Sequence, residues 1–117
     1  MFISRIEWYD FDSEEGAYEV SDSQYTVVCF AWKENYSVGD AVDGKLSSFC
    51  ATEITVSDDC CFVVKRLSFF EHKLTGVLCD NRTTVRIGGI FIELDTEVPH
   101  NLSDGTWINV TVSRIDL

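Results

Sequence analysis

The chain has 117 residues, 20 of them acidic and 9 basic, and a formal net charge of −11. Apolar residues make up 45% and aromatics 13%, enough for one packed core, which argues against a disordered chain and predicts a single domain over residues 1–117. So negative a field repels phosphate backbones and anionic lipid, which speaks against nucleic-acid and membrane partners, and it attracts basic ones.

Apolar and polar residues alternate with period two along most of the chain, and the apolar ones are largely Val, Ile, Phe, Tyr and Trp, the pattern of β-strands. Residues 2–11 read as a first strand, with Phe2, Ile6 and Trp8 on one parity. The run "AYEVSDSQYTVVCFAW" reads as a hairpin of strands 17–21 and 24–32 around an Asp22–Ser23 turn. Gly39–Asp40 and Asp43–Gly44 mark turns, and residues 48–56 resume as a strand. The next segment is two-sided. Val63, Leu67, Phe70 and Leu74 have helical spacing, with Ser57, Asp58 and Asp59 able to cap a start and Gly76 to end it. Its richness in Val and Phe and the alternation of Phe70, His72 and Leu74 favour a strand from about residue 67. That leaves at most one short helix near 58–66. A "CDNR" turn then joins strands of about 69–79 and 83–95.

Parity breaks twice. Val85 and Ile87 face opposite to Ile90, Ile92 and Leu94 across Gly88–Gly89, and Ile108, Val110 and Val112 face opposite to Ile115 and Leu117. A bulge or sharp bend at Gly88–Gly89, and a similar break in the last strand, would restore one apolar face. Bulged, bent strands predict an all-β, strongly coiled, small antiparallel barrel of six to eight strands.

The opening "MFISRIEWYDFDS" has neither the apolar stretch nor the cleavage site of a leader, and no apolar run approaches the ~20 residues that span a bilayer. The cysteines are Cys29, Cys50, Cys60, Cys61 and Cys79. Their number is odd, and Cys60 and Cys61 are adjacent and badly placed to bridge each other. Reduced, buried thiols without a disulfide, in a cytoplasmic protein, are expected. Asn35, Asn81, Asn101 and Asn109 all stand in Asn-x-Ser/Thr triplets, which without a leader read as coincidence.

The stretch "SDSQYTVVCFAWKENYSVGD" and the tail "VRIGGIFIELDTEVPHNLSDGTWINVTVSRIDL" resemble small bacterial proteins of uncharacterised function. In those proteins a turn leads into a strand ending near Cys-x-Phe, then a Val-Gly-Asp loop. An Ile-x-Leu-Asp strand later runs to a Pro turn and a last Arg-x-Asp-Leu strand. The likeness covers about two thirds of the chain. It departs at Asp22–Ser23, where Asp-Gly is expected, and at His100, where Gly is expected. The resemblance implies a barrel like an oligonucleotide/oligosaccharide-binding (OB) fold and supplies no catalytic residues.

Two acidic groups stand out. Asp10, Asp12, Glu14 and Glu15 crowd "DFDSEEG", and Glu93, Asp95 and Glu97 alternate in "FIELDTEV". On a strand the latter three would share a face about 7 Å apart, in line and not converging as a metal requires. They read as a solvated stripe whose replacement by alanine leaves the fold intact. No Cys-x2-Cys pair exists, and His72 and His100 stand alone, so no zinc, other metal or cofactor is expected. Cys29, in "VVCFAW", reads as a core thiol and not a nucleophile, even with His72 as a candidate base. With no phosphate loop or hydrolase motif, no catalytic residue is assigned. Trp8, Tyr9, Phe11, Tyr18, Tyr25, Trp32 and Tyr36 read as core, with an aromatic binding face as the alternative.

The function these features point to is a non-enzymatic protein-interaction domain. Its concrete form is an immunity protein whose carboxylates neutralise a basic, nuclease-type toxin. The alternative is an OB-like module that binds a ligand or a single strand on an aromatic face.

Overall fold

Strict alternation commits a segment to a half-buried strand, and the places where alternation fails become turns. The computed structural model describes residues 1–10 and 12–117, so Phe11, expected in the first strand and among the aromatics, lies outside the described residues. Among them there are eleven strands and no helix: β1 Phe2–Asp10, β2 Glu15–Ser21, β3 Thr26–Trp32, β4 Leu46–Phe49, β5 Thr52–Val56, β6 Val63–Arg66, β7 His72–Cys79, β8 Thr84–Ile87, β9 Ile90–Glu93, β10 Trp107–Val112 and β11 Arg114–Asp116. The protein is all-β, and the described part has no helix long and apolar enough to cross a membrane.

The expected six to eight strands are too few, because runs read as single strands are pairs joined by tight turns. Residues 83–95 show why. Ile87 pairs with Ile90, and Val85 with Ile92, so of the expected bulge or sharp bend at Gly88–Gly89 the chain makes the bend, a full reversal. Gly88 has φ 58°, as the first central position of a two-residue hairpin turn requires. Opposed residues share a face, so the reversal brings Val85, Ile87, Ile90 and Ile92 into one core despite their parity. Residues 48–56 likewise break at Cys50 (φ 54°), and the tail breaks at Ser113, after which β11 takes different neighbours from β10.

The two-sided segment starts no helix. The Ser57 hydroxyl accepts the Asp59 N–H at 3.2 Å, a local bond that competes with helix. Val63–Arg66 pairs with β7 as β6, so strand begins at residue 63 and not near 67.

The sheet order is β1-β2-β3-β11-β4-β9-β8-β7-β10-β5, with β6 also on β7. The β3/β11 and β4/β9 pairs are parallel, so the sheet is mixed and not antiparallel throughout. Its end strands β1 and β5 do not pair, and the expected closure into a barrel is not made. The sheet coils instead around one core that joins Ile3, Tyr18 and Cys29 to Leu74, Ile92, Ile108 and Ile115. A buried histidine ties strands that are not sheet neighbours. His72 Nε2, on β7, accepts the Val28 N–H of β3 at 3.2 Å. Nδ1 must therefore carry the proton, which it donates to the Phe70 carbonyl at 2.8 Å. Burial pushes the His72 pKa down.

Candidate partner-binding face

The acidic residues Asp10, Asp12, Glu14 and Glu15 all fall at the β1–β2 turn. Hydrogen bonding from Ser13 holds the Asp10 carboxyl below its usual range. Glu14 has φ 59°, and its carbonyl accepts the Lys33 N–H at 3.0 Å, which fixes the turn against the end of β3.

Glu93, Asp95 and Glu97 do not form the expected stripe, because β9 ends at Glu93. Asp95 is a structural residue. Its carboxylate accepts the Ser48 hydroxyl at 2.9 Å, the Cys50 N–H at 2.8 Å and the Ala51 N–H at 2.9 Å. Its own N–H donates back to Ser48 Oγ at 3.0 Å. Partial burial alone would raise its pKa, but these donors together lower it. Replacing all three acids is therefore not neutral for the fold. The three residues border an open hollow of about 330 Å³ together with Arg82 and Thr83. Arg82 is committed elsewhere, donating to the carbonyls of Leu102 (2.6 Å), Pro99 (2.9 Å) and Val98 (3.2 Å). In the sheet, β3, β11 and β4 separate this group from the β1–β2 turn, so the seven acids do not make one cluster.

No group of three or more His, Cys, Asp or Glu among the described residues is placed to hold a metal. Cys29 is fully buried, and burial pushes its thiol strongly up; both ring nitrogens of His72 are taken by backbone. All five cysteines are free. The expectation of buried thiols fails for Cys50, Cys60 and Cys61, which are exposed, because they sit in turns and not on core parity.

The aromatic residues also depart from expectation. Tyr18 is buried, but Trp8, Tyr9 and Trp32 are exposed and Tyr25 and Tyr36 half-buried. On β3, Val27, Cys29 and Ala31 take the core side, which leaves Val28, Phe30 and Trp32 on the other. Cross-strand partners share a face. Ala17 opposes Phe30, Glu15 opposes Trp32 and Glu19 opposes Val28. On the next strand, Glu7 opposes Ala17, Arg5 opposes Glu19 and Asp10 opposes Glu15. On the far side, Asp116 pairs with Phe30, and Arg114 with Phe49. The outer face of β1-β2-β3-β11-β4 therefore carries Glu7, Asp10, Glu15, Glu19 and Asp116, with Arg5 and Arg114 among them, beside Phe30, Trp32 and Phe49; Arg5 lies 3.9 Å from both Glu7 and Glu19.

The β6–β7 turn leans on this face and extends it. Phe70 meets Phe30 (ring centroids 5.9 Å) and Tyr9 (6.3 Å), and Phe69 meets Tyr9 (6.5 Å). The Arg114 guanidinium lies 4.7 Å from the Phe30 ring and 4.8 Å from that of Phe49, and Arg66 lies 5.0 Å from Phe69. The result is a run of contacting rings, Tyr9, Phe69, Phe70 and Phe30, joined to Phe49 through Arg114, with Trp32 on the same face of β3 as Phe30; Trp32 (56%), Phe49 (49%), Tyr9 (48%) and Phe69 (48%) are the most exposed. Part of this was readable in β3, where Phe30 and Trp32 stand on the parity opposite Val27 and Cys29.

Comparison of the chain with known protein families, curated proteins and solved structures found no match.

Proposed function

We propose that the protein is a non-enzymatic interaction domain that captures a basic protein in the cytoplasm. Its most concrete form is an immunity protein that neutralises a nuclease-type toxin. The reading rests on one observation: Glu7, Asp10, Glu15 and Glu19 share an outer face with Tyr9, Phe30 and Trp32. Carboxylates set among rings favour ammonium and guanidinium groups and repel phosphate. Asp12, Glu14, Glu93 and Glu97 add to the long-range field around that face.

The exposure of the rings favours a second reading, an OB-like ligand- or single-strand-binding module that stacks bases on the same track. One titration separates the two, with tryptophan fluorescence as the signal. The titrants are an oligo-dT strand of about twelve nucleotides and a panel of basic proteins with pI above about 9. Binding of a basic protein and not of the oligonucleotide supports the first reading. The reverse establishes the second and removes the first.

A further inference from the structure

We propose that the outer face of β1-β2-β3-β11-β4 is the docking surface itself, with Tyr9, Trp32 and Phe69 as its anchors and an arginine- or lysine-rich protruding segment of the basic partner as its occupant. This rests on the interaction reading above and names where and how the partner is held.

Pre-organisation is the first support. The exposed rings are braced by the chain's own guanidinium groups, Arg66 against Phe69 and Arg114 between Phe30 and Phe49. Held rings lose little further freedom on binding, and exposed aromatic residues are the side chains that anchor protein contacts. Those guanidinium groups are also occupied. Arg114 is matched by Asp116 through two bonds, Nε to Oδ1 at 2.6 Å and Nη2 to Oδ2 at 3.2 Å. Arg66 Nε donates to the carbonyls of Ser68 (3.1 Å) and Phe69 (2.9 Å). They serve the rings, and Arg5 on the same face stands between Glu7 and Glu19, 3.9 Å from each.

Charge decides the occupant. At the Tyr9–Trp32 end, Asp10, Glu15 and Trp32 lie side by side across three strands. Burial, then the Glu15 charge, raises the Tyr9 pKa against the opposing pull of Arg114, which places both charges within electrostatic reach of the phenol. The chain already puts one cation on this end, the Lys33 ammonium 4.8 Å from the Trp32 ring. A partner's cations meet the same chemistry there.

Room decides its size. Between the sheet and the β6–β7 turn, Arg5, Glu7, Ala17, Glu19, Val28 and Arg66 enclose only about 40 Å³, space for about one water molecule. Drug-sized ligands need several hundred. That crevice is too small for a ligand, so the proposed occupant lies across the face rather than in the crevice.

The test is an NMR titration of the intact protein with an oligo-arginine peptide, repeated at several salt concentrations. Two variants accompany the wild type: Tyr9→Ala/Trp32→Ala/Phe69→Ala, which removes rings and keeps every charge, and Asp10→Asn/Glu15→Gln, which removes charge and keeps every ring. The expected result is shifts confined to residues 5–10, 15–19, 28–32, 46–49, 66–70 and 114–116. The ring variant should bind about tenfold or more weakly with its salt dependence retained, and the charge variant should show a shallower salt dependence. Shifts that follow acidic residues everywhere, with the ring variant binding like wild type, overturn the docking surface and leave the interaction reading standing. A wild type that does not bind the peptide at low salt overturns the interaction reading as well. Self-association through this face without peptide would make a second copy the occupant and overturn the proposal.

Discussion

Asp95 shows how one acidic side chain can look like surface charge and act as a tie. It joins the segment after β9 to the β4–β5 turn through donors on Ser48, Cys50 and Ala51. Asp95→Ala should cost about 1–2 kcal/mol after allowing for its solvent exposure, read as a lower midpoint in urea. Glu97→Ala at a nearby exposed position should stay within about 0.5 kcal/mol of wild type. The titration behaviour follows from the same groups. The folded-state pKa values of Asp22 and Asp95 are lowered, so the unfolded chain binds their protons first as pH falls below about 4, and stability is lost there. His72 is also lowered. Above about pH 6.5 it is neutral in both states. As pH falls below that value the unfolded chain takes the proton first and stability declines. Urea unfolding between pH 7.5 and 5 should show this decline in the wild type and lose it in His72→Gln. An unchanged pH profile in that variant would show that another group titrates.

At the scale of elements, turns hold distant strands in place. Asp22, in the β2–β3 turn, accepts the N–H groups of Gln24 (2.9 Å) and Tyr25 (2.7 Å) and, across the sheet, that of Gly89 (2.6 Å). Asp22→Ala should therefore loosen two hairpins together, seen as faster amide exchange at Gly89 and Ile90 as well as at Tyr25. Gly76, in the middle of β7, faces the Arg86 carbonyl of β8 so closely that a Cβ has no room. Gly76→Ala should cost about 1–3 kcal/mol through strain, although alanine is usually harmless in a strand. The sequence made the β class legible, because period-two alternation needs no long-range information, and it placed the Asp22–Ser23 and residue-80 turns. It left the Gly88–Gly89 reversal ambiguous, since a bulge and a tight turn shift parity alike. It also hid the parallel β3/β11 and β4/β9 pairs, because pairing between distant segments leaves no local mark. For the site, acid clusters were visible as composition. The ring track was not, because Phe69 reaches β1 and Phe70 reaches β1 and β3 only through the coil of the sheet.

At the scale of the whole molecule, the chain is elongated, 45 × 24 × 23 Å, and has a net charge of −11; one outer face sets Glu7, Asp10, Glu15 and Glu19 among exposed rings. In the interaction proposed above, field and surface would divide the work of binding: charge would set how fast a basic partner arrives, and rings how long it stays. The most direct test is the association rate for a basic protein partner, measured by stopped flow from about 20 to about 300 mM salt, around the range where screening becomes strong. The account predicts a rate that falls steeply with salt for the wild type and less steeply for Asp10→Asn/Glu15→Gln, while Trp32→Ala changes the dissociation rate and leaves the salt dependence of association intact. A wild-type association rate that is flat across the series would contradict it.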